Sequence, residues 1–361
     1  MPSRYSTPAP ATRAPARPLT LSLLLCGALL LAGASEAAPK REAKKKAAKA
    51  ARPAASQVQT QAQRDPEPTP PAQCPPSAQA PSAEALQAAQ ERAADRGLLW
   101  RVSKDGRHAY LFGSIHIGKL DWAIPGPKMA AALQDSDMLA LELDPGDPMV
   151  QQQMTAGLAR RRLAPDAPLR QRLAQHEAEA CLPKGTLAAI PHPLMQAFTL
   201  TLLAARWEGL DPAYAQEQVL SGMARSVQRT VVSLESVELQ LNALLPKDKR
   251  EAQQATAELL DLLERGQARP VLRRLAEAWE RSDLDTLERY QDWCECARNA
   301  AERAQLQRLN DGRNPMLAER IDALIEAGHQ PFAAVGALHM TGAQALPRLL
   351  EKRGYQVERL Q

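Results

Sequence analysis

From residue 93 onward the sequence predicts an α/β fold: a central mixed sheet with flanking helices and a large helical insertion. Three observations carry this. Short apolar runs of strand length occupy both ends of the stretch, near 98–112 and 332–360. Between them, residues 149–310 are dominated by Ala, Leu, Gln, Glu and Arg, the composition of helices. Two of the apolar runs also finish alike, in Leu111-Phe112-Gly113-Ser114-Ile115-His116 and in Ala334-Val335-Gly336-Ala337-Leu338-His339. Each is a strand-like run followed by Gly-x-x-His, which places a histidine at the strand exit, where open α/β sheets hold ligands. The Gly is expected to let the backbone turn there without a Cβ clash.

The elements follow in order. Residues 98–102 read as a strand, Asp105-Gly106 as a hairpin turn, and 109–112 as the returning strand that delivers Gly113 and His116. Pro125 and Pro127 mark a helix start, which Asp135-Ser136-Asp137 ends. Residues 138–144 are predicted as one strand, with Leu139, Leu141 and Leu143 on one face and Glu142 on the other. A carboxylate inside an apolar strand is costly unless paired or used, which marks Glu142. Helices fill 149–310, broken at Pro165, Pro183, Pro191, Pro193 and Pro212, with one strand at 230–235 that ends in Glu235. A helix over 316–327 stops at Gly328, a strand spans 332–335, and a helix near 347–353 leads to a final strand at 355–360. Short joints between strand, helix and strand point to layered packing. The helix between His116 and Glu142 predicts parallel neighbouring strands there, and the two Gly-x-x-His strands are expected to lie parallel in one sheet with a common exit edge.

Residues 1–38 read as a secretory signal. Arg4, Arg13 and Arg17 precede an apolar run from Leu19 to Leu31, and small residues follow at 34–38. Leu25 before Cys26 argues against a lipoprotein site. Residues 39–92 read as a basic and then Pro-rich disordered linker. The chain is therefore expected to be periplasmic or secreted, with no transmembrane span once the signal is removed.

Net charge supports no nucleic-acid partner. Residues 1–64 carry eleven Lys and Arg against Glu36 and Glu42, a net +9; the whole chain is +4, so the remainder is −5. The foldable part is mildly acidic. In an oxidising compartment Cys74, Cys181, Cys294 and Cys296 predict two disulfides. Cys294 and Cys296 are too close in sequence to bond each other easily, so each is expected to pair with Cys74 or Cys181. His108 is expected to be exposed, His192 to lie in a turn between two prolines, and neither they nor His176 to be catalytic.

The run from Tyr110 to Gly118, the strand Leu139-Ala140-Leu141-Glu142-Leu143-Asp144, the pair Arg313-Asn314 and the run from Val335 to Gly342 together resemble the TraB/GumN family. That family belongs to a wider group with the Tiki-type metalloproteases, the haem-binding ChaN-like proteins and the erythromycin esterases. The resemblance extends over residues 98–360. It departs mildly at Gly336-Ala337-Leu338-His339-Met340, where the family pattern reads more like G-x-G-H-L. It implies a hydrolase-like site of His116, Glu142, Arg313 and His339, and Glu217 falls where the family has an acidic residue.

Two neutral imidazoles and a carboxylate suit a divalent first-row ion such as Zn, Mn or Co. In that scheme His116 and His339 are ligands, Glu142 is a third ligand or the base that takes a proton from water, and Glu235 is the spare carboxylate. Arg313 holds a substrate carboxylate or an oxyanion, while Asn314 caps the helix that follows. Two other schemes stay open. In one, His116 is a general base on water without a metal, oriented by Glu142. In the other, the cleft binds a peptide, or haem through one histidine, without turnover. The expected partner is a peptide or small-molecule substrate. Serine-nucleophile chemistry lacks a G-x-S-x-G signal.

Overall fold

A computed structural model describes residues 73–361. The signal-like segment and residues 39–72 lie outside the described residues. Part of the expected linker belongs to the fold. Ser82 caps helix Ala83–Glu91 by accepting the Ala85 N–H at 3.2 Å. Cys74 is bonded to Cys181, and the Ala78 N–H donates to Asp211 at 3.0 Å. The Pro-rich composition hid these three anchors.

Six strands, β1 (Leu98–Lys104), β2 (Arg107–Ser114), β3 (Met138–Leu141), β4 (Thr230–Ser233), β5 (Pro331–Gly336) and β6 (Gln356–Arg359), form one mixed sheet. Their order is β4-β3-β5-β2-β1-β6. β1 and β2 are an antiparallel hairpin whose turn residues, Asp105 and Gly106, both have positive φ (51° and 76°). This is the turn whose twist matches that of the strands. β6 adds antiparallel to β1.

β5 is parallel to β2 on one side and to β3 on the other, and β4 is parallel to β3. Both Gly-x-x-His strands are thus adjacent, with Tyr110 opposite Phe332 and Ser114 opposite Gly336. β2 and β3 are joined by helix Pro127–Asp135, as expected, but they are not neighbours, because β5 lies between them. Its residues 331–335 are buried on both faces, and Ala333 and Ala334 let other elements pack closely against the sheet centre. Four consecutive strands therefore release their C-terminal ends at one edge.

β3 and β4 are shorter than predicted and stop at Leu141 and Ser233. All four β3 residues are buried, so this interior strand has no wet face on which a carboxylate could sit. Backbone pairing runs on past the strand ends: the Leu234 N–H donates to the Leu141 carbonyl at 2.7 Å and the Glu235 N–H to that of Glu142 at 3.0 Å. Glu142 and Glu235 leave the sheet side by side.

The main core lies around this sheet. Phe112 packs edge-on to Trp279 at 6.2 Å and tilted on Phe332 at 5.7 Å. Trp279 also donates from Nε1 to the Gly113 carbonyl at 2.7 Å, tying the exit of β2 to helix Ala268–Glu280. The helical insertion carries a second core, which includes Met154, Leu158, Leu173, Leu194, Leu241 and Leu260. No helix among the described residues is long and apolar enough to cross a membrane.

The disulfide pairing differs from the expectation: Cys294 bonds Cys296, and Cys74 bonds Cys181. An extended C-x-C segment would hold the two sulfurs apart. Glu295 instead adopts a left-handed conformation (φ 56°), which folds the segment and sets the two Cα atoms 5.1 Å apart. His108 is also less open than expected, with 14% of its side chain exposed and Nε2 2.6 Å from Asp135. His192 accepts the Leu194 N–H at 3.3 Å at the start of helix Pro193–Ala204.

Candidate active site at the sheet's C-terminal edge

The two motif glycines act through closeness rather than through turning, since neither has positive φ. A Cβ on Gly113 would stand 3.1 Å from Ala337 Cα, so the smallest residue lets the two Gly-x-x-His segments touch. At Gly336 the N–H donates to Glu142 Oε1 at 2.8 Å. One motif thus packs against the other, and the second holds the β3 carboxylate.

His116 follows β2 and is anchored from helix Gln216–Ser226. The Gln216 N–H donates to the Ile115 carbonyl at 2.9 Å, and Glu217 Oε2 lies 3.1 Å from His116 Nδ1. Glu217 sits in the first helical turn, where the helix dipole favours a negative charge. The buried Ser114 hydroxyl donates to its other oxygen. The carboxylate that orients His116 is therefore Glu217 and not Glu142. His116 keeps 43% of its side chain exposed and is the open end of the cluster. The Glu217 charge, partly offset by burial, raises its pKa to about 9, so the ring is an imidazolium at neutral pH. Burial pushes against ionisation of Glu217, yet His116 and the Ser114 hydroxyl hold its pKa below the usual value.

Arg313, which directly precedes helix Asn314–Glu326, holds both carboxylates from the sheet edge. Its Nη2 donates to Glu142 and to Glu235, and its Nε donates to Glu235 Oε1 at 2.9 Å. Gln240 Nε2 reaches Glu142 Oε2 at 3.4 Å. Burial pushes the Glu142 carboxyl up; the Arg313 guanidinium, together with His339, His116 and the Gly336 N–H, outweighs it and keeps Glu142 ionised. For Glu235 burial wins and its pKa rises, so it is the carboxyl that takes up a proton first as pH falls.

His339 is the buried counterpart of His116, with 4% of its side chain exposed. Asn314 does not cap its helix. Its Nδ2 donates to the His339 carbonyl at 3.2 Å and to the Gln344 carbonyl at 2.8 Å, which turns Oδ1 toward His339 Nδ1 at 2.5 Å. An amide oxygen only accepts, so Nδ1 carries the proton and Nε2 presents a lone pair. That nitrogen lies 3.3 Å from Arg313 Nη1 and 3.7 Å from Glu142 Oε1. Burial lowers the His339 pKa to about 4, which leaves the ring neutral.

All seven residues singled out in the sequence, His116, Glu142, Glu217, Glu235, Arg313, Asn314 and His339, thus collect at one edge. Ser114, Gln240 and Gln344 escaped notice as supports. Ser114 stood inside the motif, whereas Gln240 and Gln344 carried no sequence signal.

As arranged, these residues do not fit a divalent ion. An ion held by His116, Glu142 and His339 needs their lone pairs to converge on one point about 2 Å from each donor. Here Arg313 N–H groups face His339 Nε2 and Glu142 Oε2, and the Gly336 N–H takes Glu142 Oε1. No trio of His, Cys, Asp or Glu among the described residues is grouped to hold a metal.

Residues 98–359 match the model of the TraB/PrgY/gumN family. No curated protein and no solved structure matches the chain.

Proposed function

Because the chain belongs to the TraB/PrgY/gumN family, we propose that it is an exported hydrolase that opens a carbonyl compound, a peptide, ester or amide, by acid–base catalysis at the sheet edge. The observation that supports this is the pairing of two histidines held in opposite protonation states around one guanidinium. Groups whose environments push their pKa values apart divide naturally into acid and base. Once the 3.3 Å hydrogen bond from Arg313 Nη1 is released, His339 Nε2 is the base that removes a proton from water as the water attacks the carbonyl carbon. The Arg313 Nη1–H released from His339 turns to the oxygen on which negative charge develops. His116 then gives its Nε2 proton to the leaving oxygen or nitrogen, the tetrahedral centre collapses to the carboxylic acid, and exchange with solvent takes the proton from His339 and restores that of His116. Glu142 and Glu235 keep Arg313 in place, Glu217 keeps His116 charged, and Asn314 keeps the His339 tautomer. His116 stands at the open end, so substrate enters past it.

A Zn, Mn or Co ion at His116, Glu142 and His339 would require Arg313 to give up its ion pair with Glu142 as well as its bond to His339, so no step is drawn through one. The test is turnover by the full chain against peptide, ester and amide panels, after exhaustive chelation and with metal content measured. Activity that survives chelation and vanishes in His339→Ala supports the proposal. Activity that returns only with an added divalent ion refutes the metal-free scheme. Tight ligand binding with no product from any panel member points to a binding protein instead.

A further inference from the structure

The helical insertion holds a second concave surface that the acid–base scheme does not use. A groove of about 380 Å³ runs between helices Pro193–Ala204, Lys249–Glu264, Ala268–Glu280 and Ala300–Leu309. Its walls are apolar, with Leu194, Phe198, Leu259, Leu262, Val271 and Leu306. The volume lies in the range of small-molecule sites. Leu309 and Leu338 also line it. Leu338 directly precedes His339, and the Leu309 carbonyl accepts an N–H from Arg313 at 3.0 Å. Groove and site therefore share two backbone segments.

The polar groups along the groove identify what it takes. Thr201 donates to the Ala197 carbonyl at 2.9 Å, Gln305 to the Ala243 carbonyl at 3.2 Å, and Gln254 to Glu258 at 3.0 Å. With these committed, an inserted peptide backbone would leave its own N–H and C=O groups unpaired, whereas an alkyl chain needs no partner. Near Leu338 the situation changes. Tyr290 and Asn310 border both this groove and a smaller hollow beside Thr341 and Gly342. Among the described residues neither side chain has a hydrogen bond to protein, so both are free to meet a carbonyl. Glu251, Glu258, Glu295 and Glu302 border the groove against only Arg298 and Arg308. Those arginines are already engaged, Arg298 with Glu302 at 2.6 Å and Arg308 with Glu251 at 3.5 Å. This acidic rim disfavours a free carboxylate.

We propose that the groove binds the aliphatic chain of a neutral acyl ester or amide, with its carbonyl end at Tyr290 and Asn310 beside the Leu338–His339 turn. That the bound compound is also a substrate rests on the hydrolase reading and requires its carbonyl to move from Tyr290 and Asn310 to Arg313 and His339; that it binds does not. Hydrolysis would add water across the acyl C–O or C–N bond, giving an alcohol or amine and a carboxylate that the rim repels.

Calorimetric titration of the full chain with straight-chain primary amides of six, eight and ten carbons, and with decanoate, tests this. Saturable one-to-one binding is expected, tightening about fourfold per added methylene, with decanoate at least tenfold weaker than decanamide. Glu258→Lys, at a half-buried position outside the core, should strengthen decanoate relative to decanamide. Tyr290→Phe should weaken decanamide without altering the dependence on chain length. Absence of saturable binding, indifference to chain length, or equal binding of decanoate and decanamide would overturn the proposal. Chain-length-dependent binding with no hydrolysis would support the groove while removing the hydrolase reading.

Discussion

The segments 113–116 and 336–339 have the same pattern, leave adjacent parallel strands and reach the same edge, yet they hold their histidines in opposite states. His116 is 43% exposed and has a carboxylate at Nδ1. His339 is 4% exposed and has an amide oxygen at Nδ1. The carboxylate raises one pKa to about 9, and burial beside a neutral partner lowers the other to about 4. A motif sets where an imidazole stands, while the group behind its outer nitrogen sets what it can do.

The largest expected effect breaks the comparison outright. His339→Ala and His116→Ala should each lower turnover about 10²–10⁴-fold, the usual contribution of a positioned acid or base. Circular dichroism should show both variants folded. Loss in only one variant would mean that the two segments do not act as a pair.

Arg313 comes next, because it links the two halves. Arg313→Met leaves Glu142 and Glu235 buried beside each other without their cation. Removing one side of a buried pair costs about 3–5 kcal/mol, and urea unfolding should register a loss of that order. A loss under about 1 kcal/mol would show that the guanidinium is not what holds the edge together.

Exchanging the outer partners sharpens the comparison with smaller effects. Glu217→Gln should bring the His116 pKa down from about 9, and Asn314→Asp should bring the His339 pKa up from about 4. The limbs of the pH–rate profile should move in those directions. Limbs that stay fixed in both variants would assign them to other groups.

Stability against pH offers a weaker version of the same contrast. The folded pKa of His339 lies below its ordinary value of 6.5, so its contribution is present above pH 6.5 and is lost as pH falls through about 4. That of His116 lies above 6.5, so its contribution is complete below pH 6.5 and is lost as pH rises through about 9. His339→Gln should flatten the acid limb and His116→Gln the alkaline limb of melting temperature against pH.

Much of this site was legible in the sequence. Apolar runs ending in Gly-x-x-His placed both histidines at strand exits, and the carboxylates within the expected strands 138–144 and 230–235 marked Glu142 and Glu235. What was not legible depends on three-dimensional neighbours. The insertion of β5 between β2 and β3 has no local signature. Glu142 looked like the partner of His116, because only the folded chain shows helix Gln216–Ser226 arriving with Glu217. Asn314 looked like a helix cap, since nothing nearby reveals that its amide turns to His339. The Cys294–Cys296 bond depends on one left-handed residue, Glu295, and no sequence spacing announces that conformation.

The most direct test of the account is nitrogen-detected NMR of the imidazole rings of the full chain, assigned with His116→Gln and His339→Gln, from pH 4 to 10. His116 should show two protonated nitrogens at pH 7 and titrate near 9, while His339 should remain neutral at pH 7, with its proton on Nδ1, and titrate near 4. Two rings that titrate together near 6.5, or a neutral His116 beside a charged His339, would contradict the division into acid and base.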